Sequence, residues 1–228
     1  MKKIILLTLI LNTLLFSDTV FDTSKVNFGS IEYNAKTKMR IYNQGVATFN
    51  LPIEISSHTK PIKETKTGYL KKSTFKIRFT AIKTNKMTFT TETLTEFNKN
   101  KKLTKYTENI NRNGETQTVV CVPLGACLID GPNKREIGYK SDVVVLDCDN
   151  NTQKKIQCNV EKANKKGLAN LTTNKHFIME NNKIRYKIEE ITKMTVDKQG
   201  NIKKISSKIK AKDLFSIKYT AKDIIQSP

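Results

Sequence analysis

Residues 74–81 read Thr-Phe-Lys-Ile-Arg-Phe-Thr-Ala, and this stretch decides the fold class. Phe75, Ile77 and Phe79 alternate with basic and hydroxyl side chains. Successive side chains of a β-strand point to opposite faces, so a period of two with one apolar set predicts a strand with one buried face.

The same alternation continues through much of the chain. It is longest over 69–84, 86–98 and 183–197, where each run far exceeds the 5–6 residues of an average strand. Long antiparallel strands twist and coil, so the sequence predicts a mainly β protein built as a curved sheet, half-barrel or barrel. In the third run the alternation changes phase near Glu190, which indicates a bulge.

One segment has helical spacing instead. Apolar and small residues between Val160 and Leu171 recur with a period of 3.6. Asn159 precedes them as a candidate N-cap and Glu161 falls in the first turn, both of which favour a helix start. The sequence therefore predicts one short helix over about 160–171.

The N-terminus differs from the rest of the chain. Lys2 and Lys3 precede a mostly apolar run over 4–16, which is shorter than the roughly 20 residues that cross a bilayer as a helix. This pattern predicts a secretory signal peptide over 1–17, with an uncleaved signal-anchor as the alternative. Residues 18–228 then form a single β-rich exported domain.

Export sets the expected location. No apolar run after the signal peptide is long enough for a helical span, so we expect no transmembrane segment after cleavage. The sequence indicates an exported protein of the bacterial envelope, and it favours the periplasm as the location. Secretion and surface association are the alternatives.

The chain is strongly basic, with 41 Lys and Arg against 21 Asp and Glu and a formal charge of +20. Only five of the 41 cations are Arg, the residue suited to bidentate phosphate recognition, and no RNA- or DNA-binding motif is present. We therefore expect no nucleic-acid partner. Lysine-rich composition is typical of AT-rich genomes, and it also suits an anionic component of the envelope.

Four cysteines, Cys121, Cys127, Cys148 and Cys158, fall within the segment 119–160. An even number in an exported chain predicts disulfides that staple this region. Turn-forming residues separate the first two cysteines and also the last two. This arrangement favours the pairs 121–127 and 148–158, the second across a hairpin, with a crossed pairing as the alternative.

Motifs for catalysis are missing. His58 and His176 are the two histidines, and each lies in a loop-like context. The acidic segment 147–151 resembles only the start of a calcium loop, without its later Gly and Glu. Glu189 and Glu190 are adjacent, so on a strand they point to opposite faces and cannot form a general acid–base pair. The sequence predicts no catalytic residue, no metal site and no cofactor.

These observations favour a non-enzymatic exported envelope protein that acts by binding. The first interpretation is a scaffold or accessory of an envelope or surface assembly, whose partner is an envelope protein or an anionic envelope component. The alternative is a periplasmic carrier of a lipid or other apolar ligand inside a curved β-sheet. A hydrolase with an unidentified site is the remaining possibility, and the four cysteines are the only site residues predicted.

Overall fold

A computed structural model describes most of the chain beyond the predicted signal peptide. The described residues are 20–22, 29–43, 45–81, 85–124, 134–150, 152–162, 169–181, 184–197 and 199–227. Every regular element within these ranges is a β-strand. The predicted signal peptide lies outside them.

The first eight strands include four of fourteen residues. They are β1 (Val20–Asp22), β2 (Ser30–Asn43), β3 (Val46–Thr59), β4 (Lys63–Glu64), β5 (Gly68–Ala81), β6 (Asn85–Asn98), β7 (Leu103–Arg112) and β8 (Glu115–Pro123).

The second eight strands complete the sheet. They are β9 (Lys134–Glu136), β10 (Val144–Cys148), β11 (Gln153–Lys162), β12 (Ala169–Asn181), β13 (Ile184–Val196), β14 (Ile202–Ala211), β15 (Phe215–Ala221) and β16 (Ile224–Ser227). The long strands predicted over 69–84, 86–98 and 183–197 correspond to β5, β6 and β13.

Twelve of the described strands form one antiparallel sheet that closes on itself, in the order β2-β3-β5-β6-β7-β8-β10-β11-β12-β13-β14-β15. Closure is made between the last and first of these, where Ile217 lies opposite Met39 and Phe215 opposite Ile41. The mainly β prediction is confirmed, and among the three geometries that it left open the protein adopts the barrel. Closure removes the two open edges that a flat sheet of these twelve strands would have.

Four short strands lie off this ring. β16 continues past β15 along β2, and β4 adds to the start of β5. β1 and β9 form a separate two-stranded sheet. No helix in the described part of the chain has the length and apolar character needed to cross a bilayer.

The predicted helix over 160–171 is wrong at both of its ends. Val160 belongs to β11, and Leu171, directly opposite it, belongs to β12. Residues 163–168 lie outside the described residues. The apolar residues that fit a helical period fit the two sides of a β-hairpin equally well, because Val160 and Leu171 face the same interior from neighbouring strands.

On each strand, every second side chain faces the interior of the barrel, and we call these positions the interior parity. The register pairs such positions with one another on neighbouring strands all around the ring. Ile53 of β3, for example, lies between Thr37 of β2 and Phe79 of β5. The largest buried cluster joins the closure strands to β3, and each fully buried aliphatic side chain there contributes about 1.5–3 kcal/mol. Its members include Ile31, Tyr33, Ala35, Leu51, Ile53, Ile55, Ile205, Ile217, Tyr219 and Ala221.

A second buried cluster lies on the other side of the ring. It is built from β7, β8, β10 and β11 and comprises Leu103, Tyr106, Val119, Cys121, Val144, Leu146, Cys148 and Ile156. The outward face is polar, as β2 illustrates with exposed Glu32, Lys36 and Arg40. The alternation that predicted the strands therefore separates a mostly apolar interior from a charged exterior.

No bulge occurs at Glu190. The ladder between β12 and β13 runs without interruption from Ala169 opposite Val196 to Asn181 opposite Ile184. The irregularity in this strand lies instead between Thr195 and Val196, on its side toward β14. The sequence pattern changed phase because Glu190 itself faces the interior.

Candidate ligand site inside the barrel

One wall of the barrel interior is not closely packed. The described interior-facing side chains of β5 and β6, from Tyr69 to Phe79 and from Met87 to Phe97, all keep part of their surface exposed. On β2 and β3, buried residues such as Ile53 and Ile55 occur beside partly exposed ones such as Met39. The partly exposed set on this wall is Tyr69, Lys71, Ser73, Phe75, Ile77 and Phe79 of β5 and Met87, Phe89, Thr91, Thr93, Thr95 and Phe97 of β6.

Because these side chains point inward, we interpret their exposed surface as bordering space within the barrel. Eight strands make an interior just wide enough to be filled by side chains, while sixteen or more leave an aqueous channel. Twelve strands lie between these limits. We call the space along the inner face of β5 and β6 the lumen.

Among the described residues, five charged side chains on the interior parity are buried or half-buried, and we call them the luminal charge cluster: Lys71, Glu108, Lys154, Lys175 and Glu190. Arg112 and Glu115 share this parity but are exposed. Each lies on the interior parity of its strand, since Lys71 pairs with Thr95, Glu108 with Thr93 and Lys154 with Phe177. Lys175 pairs with Glu190. Burying a charged side chain in the interior of the barrel is costly unless it is paired with an opposite charge. The ion-pair partner of each of these residues therefore determines whether its charge is stabilised.

Glu108 is held by two partners. Tyr106 Oη donates a hydrogen bond of 2.7 Å to its Oε1, and Lys154 Nζ donates to its Oε2. Burial by itself would raise the pKa of the Glu108 carboxyl, but the charge and hydrogen bond of Lys154 and the Tyr106 hydroxyl overcome it and lower the pKa. Lys154 Nζ also lies 5.3 Å from the ring centre of Tyr106 and 5.4 Å from that of Phe177. The cation is therefore enclosed by a carboxylate and two aromatic faces.

Lys175 and Glu190 form the second pair, with Nζ 3.7 Å from Oε2. The Glu190 carboxylate is the main cause of a raised pKa at Lys175, and it outweighs the opposing effect of burial. Glu108 and Cys158 also raise the pKa of Lys175. Lys175 is therefore coupled electrostatically to both Glu190 and Glu108.

Lys71 differs from the other two cations. No carboxylate of the described residues lies within ion-pair distance of its amine. Burial lowers the pKa of Lys71, and the neighbouring positive charge of Lys175 lowers it further, while Cys158 opposes both. Glu108 neutralises Lys154, and Glu190 neutralises Lys175. The cluster of three Lys and two Glu therefore keeps one unbalanced positive charge, that of Lys71.

Two tyrosines complete the polar part of the interior. The hydroxyl oxygens of Tyr33 and Tyr219 are 3.0 Å apart, and their ring centres are 6.2 Å apart. Burial raises the pKa of both phenols, so they remain neutral hydrogen-bonding groups. Phe75 lies beside Tyr219, with its ring centre 6.4 Å away. The lumen thus presents neutral hydroxyls at the border between its charged and its apolar parts.

The four predicted cysteines are placed differently from the predicted pairing. Cys121 and Cys148 are joined, with their Sγ atoms 2.13 Å apart, across the adjacent strands β8 and β10. The predicted pair 148–158 is therefore wrong, and Cys121 is not available to Cys127, which lies outside the described residues. Cys158 faces the lumen from β11, with Sγ 3.9 Å from Thr173 Oγ1.

The register of one hairpin explains the correction. The turn after Cys148 is tight, because Cys148 N donates to Thr152 O at 3.0 Å. Ile156 consequently lies opposite Val144, and Cys158 is carried far beyond Cys148. The sequence-based prediction placed the turn and the shared face of Cys148 and Cys158 correctly. It was wrong about the pairing because it did not determine which residues lie opposite each other on the two sides of the turn.

The other candidate residues lie on the outer surface or apart from one another. His58 Nδ1 is 3.5 Å from Glu32 Oε2 on the outer face of β3. His176 is exposed opposite Glu189 on β12 and β13, and Glu189 and Glu190 point to opposite faces. Within the described ranges, no group of three or more His, Cys, Asp or Glu side chains could hold a metal ion.

The luminal charge cluster was not predicted from the sequence. Its signal was present, because Lys71, Lys154, Lys175 and Glu190 interrupt the apolar parity of their strands. In a sequence this rich in Lys, such interruptions resemble solvent-exposed positions. Comparison with protein-family models, with curated proteins and with solved structures gives no match.

Proposed function

We propose that the protein is an exported, non-enzymatic carrier that holds a small amphipathic ligand in the lumen of its barrel. One observation carries the proposal: the inward-facing side chains of β5 and β6 are partly exposed in a barrel of twelve strands. Ligand sites are concave and mostly apolar, with a few polar groups that fix orientation. A wide barrel with an unfilled apolar wall and a small polar cluster has this composition.

The chemistry of the lumen favours an amphipathic ligand over a purely apolar one. Phe75, Ile77 and Phe79 supply an apolar surface on β5, and Phe89 extends it on β6. The luminal charge cluster and the Tyr33–Tyr219 pair supply polar groups beside that surface. A molecule with an apolar tail and a polar head can satisfy both parts at once.

Native mass spectrometry of the protein purified after export in a bacterial host tests the carrier function. We expect extra mass that organic extraction releases as a lipid-like molecule, and saturable binding of a fluorescent long-chain fatty acid to the stripped protein. A stripped protein that binds neither the extracted molecule nor the fluorescent acid would refute the carrier proposal. The same spectrum reports whether residues 1–17 have been removed.

A matched pair of variants locates the binding to the lumen. Thr91 faces the lumen opposite Phe75, whereas its neighbour Thr90 faces outward opposite Lys76. Thr91→Phe fills part of the lumen and is expected to weaken ligand binding at least several-fold. Thr90→Phe adds the same ring outside the barrel, so binding should be unchanged. Equal effects of the two substitutions would place the ligand elsewhere.

A scaffold within an envelope assembly is the second candidate. It is favoured by three apolar side chains that remain about half exposed near the end of β8 and the start of β10: Val122 at 49%, Leu124 at 50% and Val143 at 51%. Leu124 N donates to Val145 O, which holds the end of β8 beside β10, the strand that follows Val143. Co-purification of a defined envelope protein that is lost on Leu124→Ser, with the lumen empty of ligand, would favour the scaffold over the carrier.

A further inference from the structure

We propose that Lys71 binds the carboxylate head group of a long-chain acid whose tail lies along the inner faces of β5 and β6. This inference rests on the proposed carrier function and specifies the class of its ligand. It is supported by the balance of charge in the lumen, by the order of residues along two strands, and by the position of the lysine at the polar end of that order.

The balance of charge selects Lys71 among the luminal cations. Lys154 is paired with Glu108, and Lys175 with Glu190. Lys71 has no carboxylate partner among the described residues, yet it faces the same interior. A bound anion would supply the missing negative charge, because a cation removed from water is stabilised by a close counter-charge.

The order of residues along the wall sets the direction of the ligand. On the inner face of β5 the sequence runs from Lys71 and Ser73 to Phe75, Ile77 and Phe79. The paired inner face of β6 follows the same order with Thr95, Thr93, Thr91, Phe89 and Met87. From Lys71 onward both strands therefore change from polar to apolar in the same direction, while Tyr69 and Phe97 lie on the other side of Lys71.

The length of this wall suits a long tail. Strand residues rise about 3.3 Å each, so the path from Lys71 to Phe79 covers roughly 26 Å along the strand. Phe75 lies at its midpoint, and Ile77 and Phe79 lie in its second half. A ligand with its carboxylate on the amine would lay its chain over Ser73 and then over these side chains, which are partly exposed and can gain burial from it.

The environment of the amine agrees with this assignment. Burial and the positive charge of Lys175 lower the pKa of Lys71, and Cys158 opposes them without overcoming them. A bound carboxylate would stabilise the ammonium form against the same two effects. Lys175 thereby adds to the attraction while Glu190 remains its own partner.

Binding of a long-chain fatty acid and of its methyl ester, which lacks the charge, tests the assignment. We expect the wild-type protein to prefer the acid, and Lys71→Met to lower its affinity for the acid about tenfold while leaving that for the ester unchanged. Lys71→Arg should retain most of the preference. Acetate alone should not displace the acid, since it has no tail to bury.

Lys76→Met is the matched control, because Lys76 lies on the same strand, faces outward and carries the same charge. It should change neither affinity. If acid and ester bind equally to the wild-type protein, or if Lys71→Met and Lys76→Met lower acid binding to the same extent, the assignment of Lys71 is overturned while the carrier function stands. Absence of binding by both probes would overturn the carrier function itself. Thermal unfolding of each variant verifies that the barrel is intact.

Discussion

Lys175 and Glu190 lie directly opposite each other on β12 and β13, with Nζ 3.7 Å from Oε2 inside the barrel. An ion pair at such a position costs desolvation and needs good geometry to be retained. Its side chains keep 34% and 26% of their surface exposed, which indicates access to solvent-sized space within the barrel. The pair is therefore partly accessible to solvent and not fully buried.

Removal of one member of this pair should destabilise the protein moderately. Lys175→Met leaves the Glu190 carboxylate without its partner, and we expect a loss of about 1–2 kcal/mol in the free energy of unfolding, less than for a fully buried pair. Urea denaturation at neutral pH measures it. Adding Glu190→Gln should recover part of the loss, because the remaining charge is removed as well.

An outward pair provides the comparison. Lys36 and Glu54 are 3.4 Å apart with 85% and 57% of their side chains exposed. Exposed pairs contribute little, so Lys36→Met should change stability by less than about 0.5 kcal/mol. If Lys175→Met and Lys36→Met lowered the free energy of unfolding by equally small amounts, the interior position of the Lys175–Glu190 pair would make no difference to stability.

The sequence predicts the strands of this protein better than the contents of its barrel. Alternation over Phe75, Ile77 and Phe79 identified β5 because those inward positions are apolar. At Glu190 the inward position is charged, so the same rule assigned the wrong phase there. Whether a polar residue faces water outside or a lumen inside depends on ring closure, which joins β2 to β15 across more than 170 residues. Local periodicity contains no information about that contact.

The disulfide between Cys121 and Cys148 should contribute strongly to stability. It closes a separation of 27 residues in sequence, for which the chain-entropy relation gives roughly 3.5 kcal/mol. We expect the double variant Cys121→Ser/Cys148→Ser to lose about this amount in urea unfolding. Reducing agent should lower the stability of the wild-type protein but have little effect on the double variant.

Peptide mapping under non-reducing conditions tests the same pairing directly. Proteolysis of the exported protein should yield a linked pair of peptides containing Cys121 and Cys148. A linkage between Cys148 and Cys158 would contradict the hairpin register, because Cys148 lies next to Thr152 across the turn.

Gly68 is required by a close approach at the start of β5. A Cβ added there would lie 1.9 Å from the backbone oxygen of Phe97, which no side-chain movement can relieve. Gly68→Ala should therefore cost more than about 2 kcal/mol and lower the melting temperature clearly. Gly114 offers the control, since its φ is +100° but nothing lies within 4 Å of an added Cβ. Gly114→Ala should cost only about 1–2 kcal/mol of backbone strain.

Protonation of Glu108 should make the barrel sensitive to acid. Its pKa in the folded protein lies below the usual value of 4.5, because Lys154 and the Tyr106 hydroxyl stabilise the carboxylate against burial. The contribution of Glu108 to the free energy of unfolding is fully present above the pKa that this carboxyl has in the unfolded state. It is lost as the pH falls through the lower pKa that the carboxyl has in the folded state. Between those values the unfolded state binds more protons, so the free energy of unfolding should decrease with falling pH, by at most about 1.4 kcal/mol per pH unit for one group.

Urea midpoints between pH 7 and pH 3 measure this effect in the wild-type protein and in Glu108→Gln. The variant cannot take up the proton, so its stability should decrease less steeply below pH 4.5, even if it is less stable at pH 7. Glu54→Gln on the outer surface is the control, because its carboxylate is 57% exposed and its pairing with Lys36 is weak. Parallel curves for the wild-type protein and Glu108→Gln would contradict an ionised, Lys154-bound Glu108 inside the barrel.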